Sequence, residues 1–297
     1  MGHAIGVRAA GEALAVGVVE GDRVVGHVRR YPEEGGRSDS LIEMPAETFG
    51  ELLRRQIEQA AAGADIEAVG IGMPGIILEG VIAESPNLQQ LKGLNLRALL
   101  SGAFPSTAIL ILNDADALAA GIAATRGQLD KVTRVWTLGA GLGFGRYPRT
   151  EGIWEAGHCV VTLDPKERFC GCGGVGHLEG VLGHRAMRLR FLDMEPEEIF
   201  QHAVEGDERC RNFANLWHRA LAGATASSIH LDGPGKFYIS GPNSKFVDTG
   251  LLHVYLHDMV KMSTLQGSYF EVIPTPDEIA IIGAAVNARV KPLAGRM

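Results

Sequence analysis

The sequence predicts an α/β protein of two related domains, and three observations carry that prediction. Apolar strand patterns alternate with helical ones, the order of strands, turn and helix occurs twice with different decoration, and the 297 residues amount to about two ordinary domains. The 39 glycines are dispersed at the ends of apolar runs, where they serve as turns and close backbone approaches rather than as a linker. Ligands of such a protein are expected in a cleft between its domains.

The elements follow in order. A hairpin pattern covers 4–7 and 14–19, a third strand 23–28, and residues 32–39 read as a polar, glycine-rich loop. Over 45–62, Phe49, Leu52, Leu53, Ile57 and Ala60 fall on one helical face, with Pro45 in the first turn and Glu51 spaced to pair with Arg55. Strands follow at 66–71 and 109–112, and a small-residue helix at 115–125. The second set has strands at 134–138 and 143–147, a cysteine-rich turn, helices at 177–192 and 197–224, and a late strand at 236–240.

Composition excludes several classes. A formal net charge of -7 lacks the basic stripe of a nucleic-acid or anionic-membrane binder, so neither partner is expected. The first apolar stretch is broken by Arg8, Gly11 and Glu12, unlike a secretory signal, and no run reaches the roughly 18–20 apolar residues of a membrane span. Cys159, Cys170, Cys172 and Cys210, three of them crowded together, do not resemble a secreted disulfide framework. A cytoplasmic protein is expected.

Four segments call for a chemical explanation. Gly72-Met73-Pro74-Gly75 follows a buried strand and precedes Pro86-Asn87-Leu88; taken singly, both are turns. Asn113-Asp114 brings a carboxylate to a helix start, where it serves either as a cap worth about 1 kcal/mol or as a reactive group. Residues 137–145, with Gly139, Gly141 and Gly143, allow backbone amides to approach a phosphate. The fourth segment joins Glu155-Ala156-Gly157-His158 to Cys170-Gly171-Cys172 and, further on, His177-Leu178-Glu179. His158, Cys170, Cys172 and His177 complete a closed tetrahedral zinc site, which is structural because no position stays open; Cys159 is a competing ligand.

In this order, the motifs resemble the ROK family of repressors, uncharacterised proteins and sugar kinases over nearly the whole chain: Gly72 to Gly75, Pro86 to Leu88, Asn113-Asp114, Gly139 to Gly145, Glu155 to His158, and Cys170 to Glu179. The resemblance implies two actin-like, ribonuclease H-like domains of hexokinase type around a cleft, a structural zinc and a homodimer. It also returns the last helix, 276–288, to a small N-terminal domain of 1–112 plus about 280–297, leaving 113–279 as the larger domain with the zinc motif.

The same resemblance makes Asp114 the catalytic base that takes a proton from a sugar hydroxyl as it attacks the terminal phosphoryl group of MgATP. It makes Asn113, Asn87, Glu155, His158, Glu179 and the backbone at Gly75 the remaining sugar partners, a set suited to the alternating donors and acceptors of a pyranose. Nucleotide contacts are implied at Gly11, Gly139, Gly141, Gly143 and Gly241, the last within a remnant of the adenosine loop at 240–243. His177 stands where the family usually has a cysteine, and neutral imidazole is an acceptable replacement.

The chain departs from the family at the N-terminal phosphate motif, Asp-x-Gly-Gly-Thr, which aligns with Arg8-Ala9-Ala10-Gly11-Glu12. A carboxylate about 4 Å from a phosphate charge is repulsive by roughly 4 kcal/mol at an effective dielectric of about 20. Arg8 offsets this either by binding phosphate or by pairing with Glu12. The family's Gly-Thr-Gly also reads Gly139-Ala140-Gly141 here, without the hydroxyl. The expected activity is a glucokinase-like transfer from MgATP to a hexose or N-acylamino hexose. The alternative is an inactive pseudokinase that binds or senses sugar. A ligand-responsive repressor of the family, which requires a winged-helix segment ahead of the first strand, is not expected.

Overall fold

The computed structural model describes residues 2–10, 13–33, 41–150, 152, 154–274 and 277–290. Two compact units emerge, one of Met1–Thr133, Gly145–Glu151 and Thr275–Met297, the other of Arg134–Phe144 and Gly152–Pro274. The first division thus falls after Thr133, not after residue 112.

The first unit opens with β1 (His3–Ala9), β2 (Leu14–Glu20) and β3 (Arg23–Tyr31), followed by α1 (Ala46–Ala61) and β4 (Ile66–Met73). Next come β5 (Ile76–Leu78), β6 (Val81–Glu84), α2 (Leu96–Ala103), β7 (Ala108–Asn113) and α3 (Asp114–Thr125). The main sheet runs β3-β2-β1-β4-β7, antiparallel through β3, β2 and β1 and parallel from β1 to β4 to β7. Alternation assigns its two faces. Ile5, Val7, Val69, Ile71 and Met73 are fully buried and share a core with Phe49, Leu52, Leu53 and Ile57 of α1. Pro45 stands just outside α1 as its cap, and the helix carries the ion pair Arg54–Glu58 at 2.5 Å where Glu51–Arg55 was expected.

The second unit holds β8 (Thr133–Leu138) from Arg134 on and β9 (Leu142–Tyr147) as far as Phe144, residues 145–147 belonging to the first unit, and then α4 (Glu179–Leu182), α5 (His184–Arg190), α6 (Pro196–Glu205), α7 (Glu208–Asp232), β10 (Lys236–Ser240), α8 (Thr249–Met259) and β11 (Tyr269–Val272). Its sheet is ordered β11-β10-β8-β9, with β10 parallel to both β8 and β11. Both long helices predicted here are divided at glycines. Gly183 turns extended at ψ 142 after α4, and Gly206, at φ 101, ends α6 before Asp207 caps α7 by accepting from the Cys210 amide at 2.8 Å. Cys210 is buried in the core with Phe213, Trp217 and Leu221, and Trp136 Nε1 donates to Thr225 Oγ1 at 3.0 Å.

The last helix, α9 (Asp277–Arg289), belongs to the first unit. It packs on the sheet face opposite α1, and glycines let it approach. A Cβ on Gly6 would lie 1.9 Å from the Ile281 carbonyl oxygen, one on Gly70 1.9 Å from that of Ala284, and one on Gly283 1.7 Å from that of Ala117 in α3. Helix α3 is therefore wedged against α9 and this sheet, which keeps residues 114–125 with the first unit.

Buried His218 on α7 joins two helices. Its Nδ1–H donates to Ala214 O at 2.7 Å, and Nε2 accepts from the Asp248 amide at the start of α8 at 2.9 Å. Both bonds require the neutral ring, and burial holds its pKa below the usual histidine value. The unfolded chain takes up this proton near pH 6.5 while the folded chain resists it, so the contribution is complete above that pH and declines as pH falls below it. Urea midpoints should fall between pH 7.5 and 5.5, and His218→Gln should flatten that slope; an equally steep slope in the variant would assign it to other groups.

Candidate active site and metal centre

In the first unit, the parallel strands β1, β4 and β7 end on one edge. Asn113, not Asp114, caps α3: its Oδ1 accepts from the Ala115 amide at 2.9 Å, and its Nδ2 donates to Gly75 O at 3.0 Å. Asp114 is thereby released from the capping position. Its Oδ1 accepts from Ala115 N at 3.0 Å. Burial pushes its pKa above the ordinary carboxylate value, against the opposing pull of the Arg8 guanidinium. A carboxylate desolvated by burial, with neighbouring backbone amides as its donors, is suited to accept a proton.

The turns predicted around this edge are tied together. Ser85 Oγ donates to Pro74 O at 2.9 Å, and Leu88 N donates to Ser85 O at 3.1 Å, which fixes 86–88 beside the 72–75 turn. Asn87 is exposed on that turn. The Gly75 carbonyl is already engaged by Asn113.

In the second unit, a short backbone ladder brings the metal motif together. Val160 bridges His177, and Val161 N donates to Gly176 O at 2.8 Å. Gly176 has φ 70, and a Cβ there would lie 1.9 Å from Thr162 O, so only glycine fits. His158, Cys170, Cys172 and His177 each point one ligand atom into a group whose members all lie within 4.8 Å of one another. Cys170 Sγ is 3.4 Å from both Cys172 Sγ and His158 Nδ1, Cys172 Sγ is 3.2 Å from His177 Nδ1, and the two Nδ1 atoms are 3.3 Å apart. Ordinary Zn–S and Zn–N bonds in a tetrahedron separate ligand atoms by about 3.3–3.8 Å, so this donor set fits zinc in size and chemistry.

Cys159, the competing ligand, is outside the group. Its carbonyl accepts from Leu178 N at 2.9 Å, and its side chain packs on the core, with burial pushing the thiol up to about 11. Glu179 opens α4 beside the cluster: Oε1 accepts from Cys170 Sγ at 3.4 Å and Oε2 from Leu142 N at 3.0 Å. Half-buried Glu155 precedes the short turn Ala156–His158 and accepts the His158 amide on its carbonyl at 2.9 Å.

The glycines expected to meet nucleotide are also placed. Gly139 N donates to Gly141 O at 3.0 Å, while Gly139 O accepts from His184 N at 3.0 Å and from buried Asn243 Nδ2 at 3.1 Å. Gly143 lies on β9, and Gly241, at φ 97, precedes the turn Pro242–Phe246. Gly11 and Glu12 lie outside the described residues. Arg8 pairs instead with Asp277, Nη1 to Oδ1 at 2.6 Å, and Arg30 Nε holds Oδ2 at 3.0 Å. Asp277 and Arg30 escaped the sequence reading; the available signal was an acidic residue at the start of a helical pattern. No helix among the described residues is long and apolar enough to cross a membrane.

Comparison with known proteins identifies the family. The sequence model of the ROK family matches residues 4–249. The chain is 30% identical over 318 aligned positions to a glucokinase of Thermotoga maritima, covering 95% of both chains. Among solved structures it is similar to a ROK hexokinase from Thermus thermophilus, with a TM-score of 0.75 and 25% identity over 96% of this chain and 97% of the other. A ROK family glucokinase from Streptomyces griseus, solved with glucose and AMPPNP, has a TM-score of 0.70 at 22% identity, over 97% and 99% of the two chains. The actin-like α/β fold implied by the motifs is thus the fold of this chain, which belongs to the ROK family.

Proposed function

We propose that this protein is a glucokinase-like sugar kinase that transfers the terminal phosphoryl group of MgATP to a hydroxyl of a hexose or N-acylamino hexose. The observation that carries this reading is Asp114, freed from capping by Asn113 and held partly desolvated at the start of α3. Its carboxylate accepts the hydroxyl proton as the sugar oxygen bonds to phosphorus and the bond from phosphorus to the leaving ADP oxygen breaks. Asn113, Asn87 and the Gly75 backbone, with Glu155, His158 and Glu179, are the residues assigned to the other hydroxyls. Gly139, Gly141, Gly143 and Gly241, with Gly11, carry the nucleotide contacts. Relatives named as glucokinase and hexokinase support this reading.

Zinc belongs to the same proposal. Held by His158, Cys170, Cys172 and His177, it supplies no chemistry to the transfer and braces the segment that carries His158 and Glu179. A homodimer and a cytoplasmic setting complete the reading, the latter in keeping with four unpaired cysteines.

The alternative of a sugar sensor draws on Arg8 and Ala10 but gains nothing from the relatives. Calorimetric titration separates the two. MgATP should bind saturably and more tightly with one hexose of a panel present; hexose binding with no nucleotide binding would favour the sensor.

A further inference from the structure

Arg8 replaces the acidic residue of the family's first phosphate motif, yet its guanidinium is neither loose nor directed away from the site. On β1 it is two residues beyond Gly6, so it emerges from the sheet face that carries α9. It is in register with Gly72 of β4, which in turn is in register with Leu112 of β7, two residues before Asp114. Gly72 places no side chain between them, and a Cβ there would lie 2.7 Å from Ala117 Cβ and 3.6 Å from Asp114 Cα. Arg8 therefore stands between two helix starts that each carry an aspartate, Asp277 on α9 and Asp114 on α3. Asp277 fixes it at 2.6 Å, and Arg30 fixes Asp277 from β3.

We propose, building on the kinase reading, that Arg8 is a positioning residue for the transfer: clamped by Asp277, its charge keeps Asp114 in the carboxylate form that accepts the sugar proton. Asp277 is one carboxylate shared by two guanidiniums, so it neutralises Arg8 only in part. Among the described residues, other charges lie on α3 itself and on the elements packed against it. Asp116 accepts from Arg146 N of β9 at 2.9 Å, Arg146 contributes its own side chain, and Glu278 is exposed on the first turn of α9. Residues 72–76 of β4 and β5, and 108–113 of β7, carry no charge. Among these groups Arg8 is the cation whose field acts on Asp114, offsetting part of the cost of burial.

The test is a titration of the Asp114 carboxyl carbon by NMR in the full chain, with the acid limb of kcat/KM measured in parallel. Arg8→Met should move both upward by about one pH unit, a loss of about tenfold in activity on the acid limb that is recovered at high pH. Arg8→Lys should leave both near their wild-type positions. Asp277→Asn should move both downward, because it removes the charge that neutralises Arg8; a merely structural role would not produce opposite signs. If Arg8→Met does not fold, the Asp277→Asn shift alone decides. An unmoved Asp114 resonance, or a loss of rate equal at every pH, would overturn the proposal and assign Arg8 to the donor phosphates or to the fold. A wild-type chain that phosphorylates no hexose would sink the kinase reading, while the NMR titration would still judge Arg8.

Discussion

Asp114→Asn should lower turnover by about 10²–10⁴-fold, the usual contribution of a positioned general base, while leaving hexose affinity close to wild type. The amide keeps the size of the carboxylate and one acceptor oxygen, exchanges the other for a donor, and cannot take the proton. A second readout follows from the same burial. The folded state raises the pKa of Asp114, so the unfolded chain gives up this proton at lower pH, and the ionised group costs stability throughout the neutral range. The variant should therefore melt higher than wild type at pH 7.5 while turning over far more slowly, the trade-off expected where a strained group serves catalysis. A variant with wild-type rate would remove Asp114 from the mechanism.

Loss of the metal should have the next largest effect. Purified protein is expected to contain about one zinc per chain by elemental analysis, and Cys170→Ala or His177→Ala to contain almost none. A ligand bound at about a thousandfold above its Kd contributes about 4 kcal/mol, roughly 8–16 °C in melting temperature for a unit of this size. The loss should also weaken sugar binding, because Glu179 meets Cys170 Sγ at 3.4 Å and His158 is itself a ligand. Leu142 N retains the other Glu179 oxygen, so the acid is loosened rather than released. Native protein free of zinc, with undiminished hexose affinity, would contradict the assignment.

What the sequence made legible was set by the range of the interactions concerned. The apolar strand patterns of β1, β4 and β7 and the 3.6-residue spacing on α1 are local, and each appears where it was read. Gly183 and Gly206 were visible but ambiguous, since a glycine within an apolar pattern costs only about 1 kcal/mol and does not by itself announce a break. The short pieces β5, β6 and β11 and the helices α2 and α8 are fixed by their neighbours more than by their own pattern. The four candidate metal ligands were legible as chemistry, but excluding Cys159 from the group required the ladder that points His158 and His177 inward and turns Cys159 toward the core. The pairing of Arg8 with Asp277 joins residues 269 positions apart, and no local rule reaches that far.

The most direct measurement is the formation of sugar phosphate from MgATP and each member of a hexose panel, followed by phosphorus NMR, for wild type beside Asp114→Asn. The account predicts one phosphorylated hexose, with ADP formed in equal amount by wild type and almost none by the variant. Hexose binding by the wild-type chain with no phosphorylated product from any sugar would contradict it.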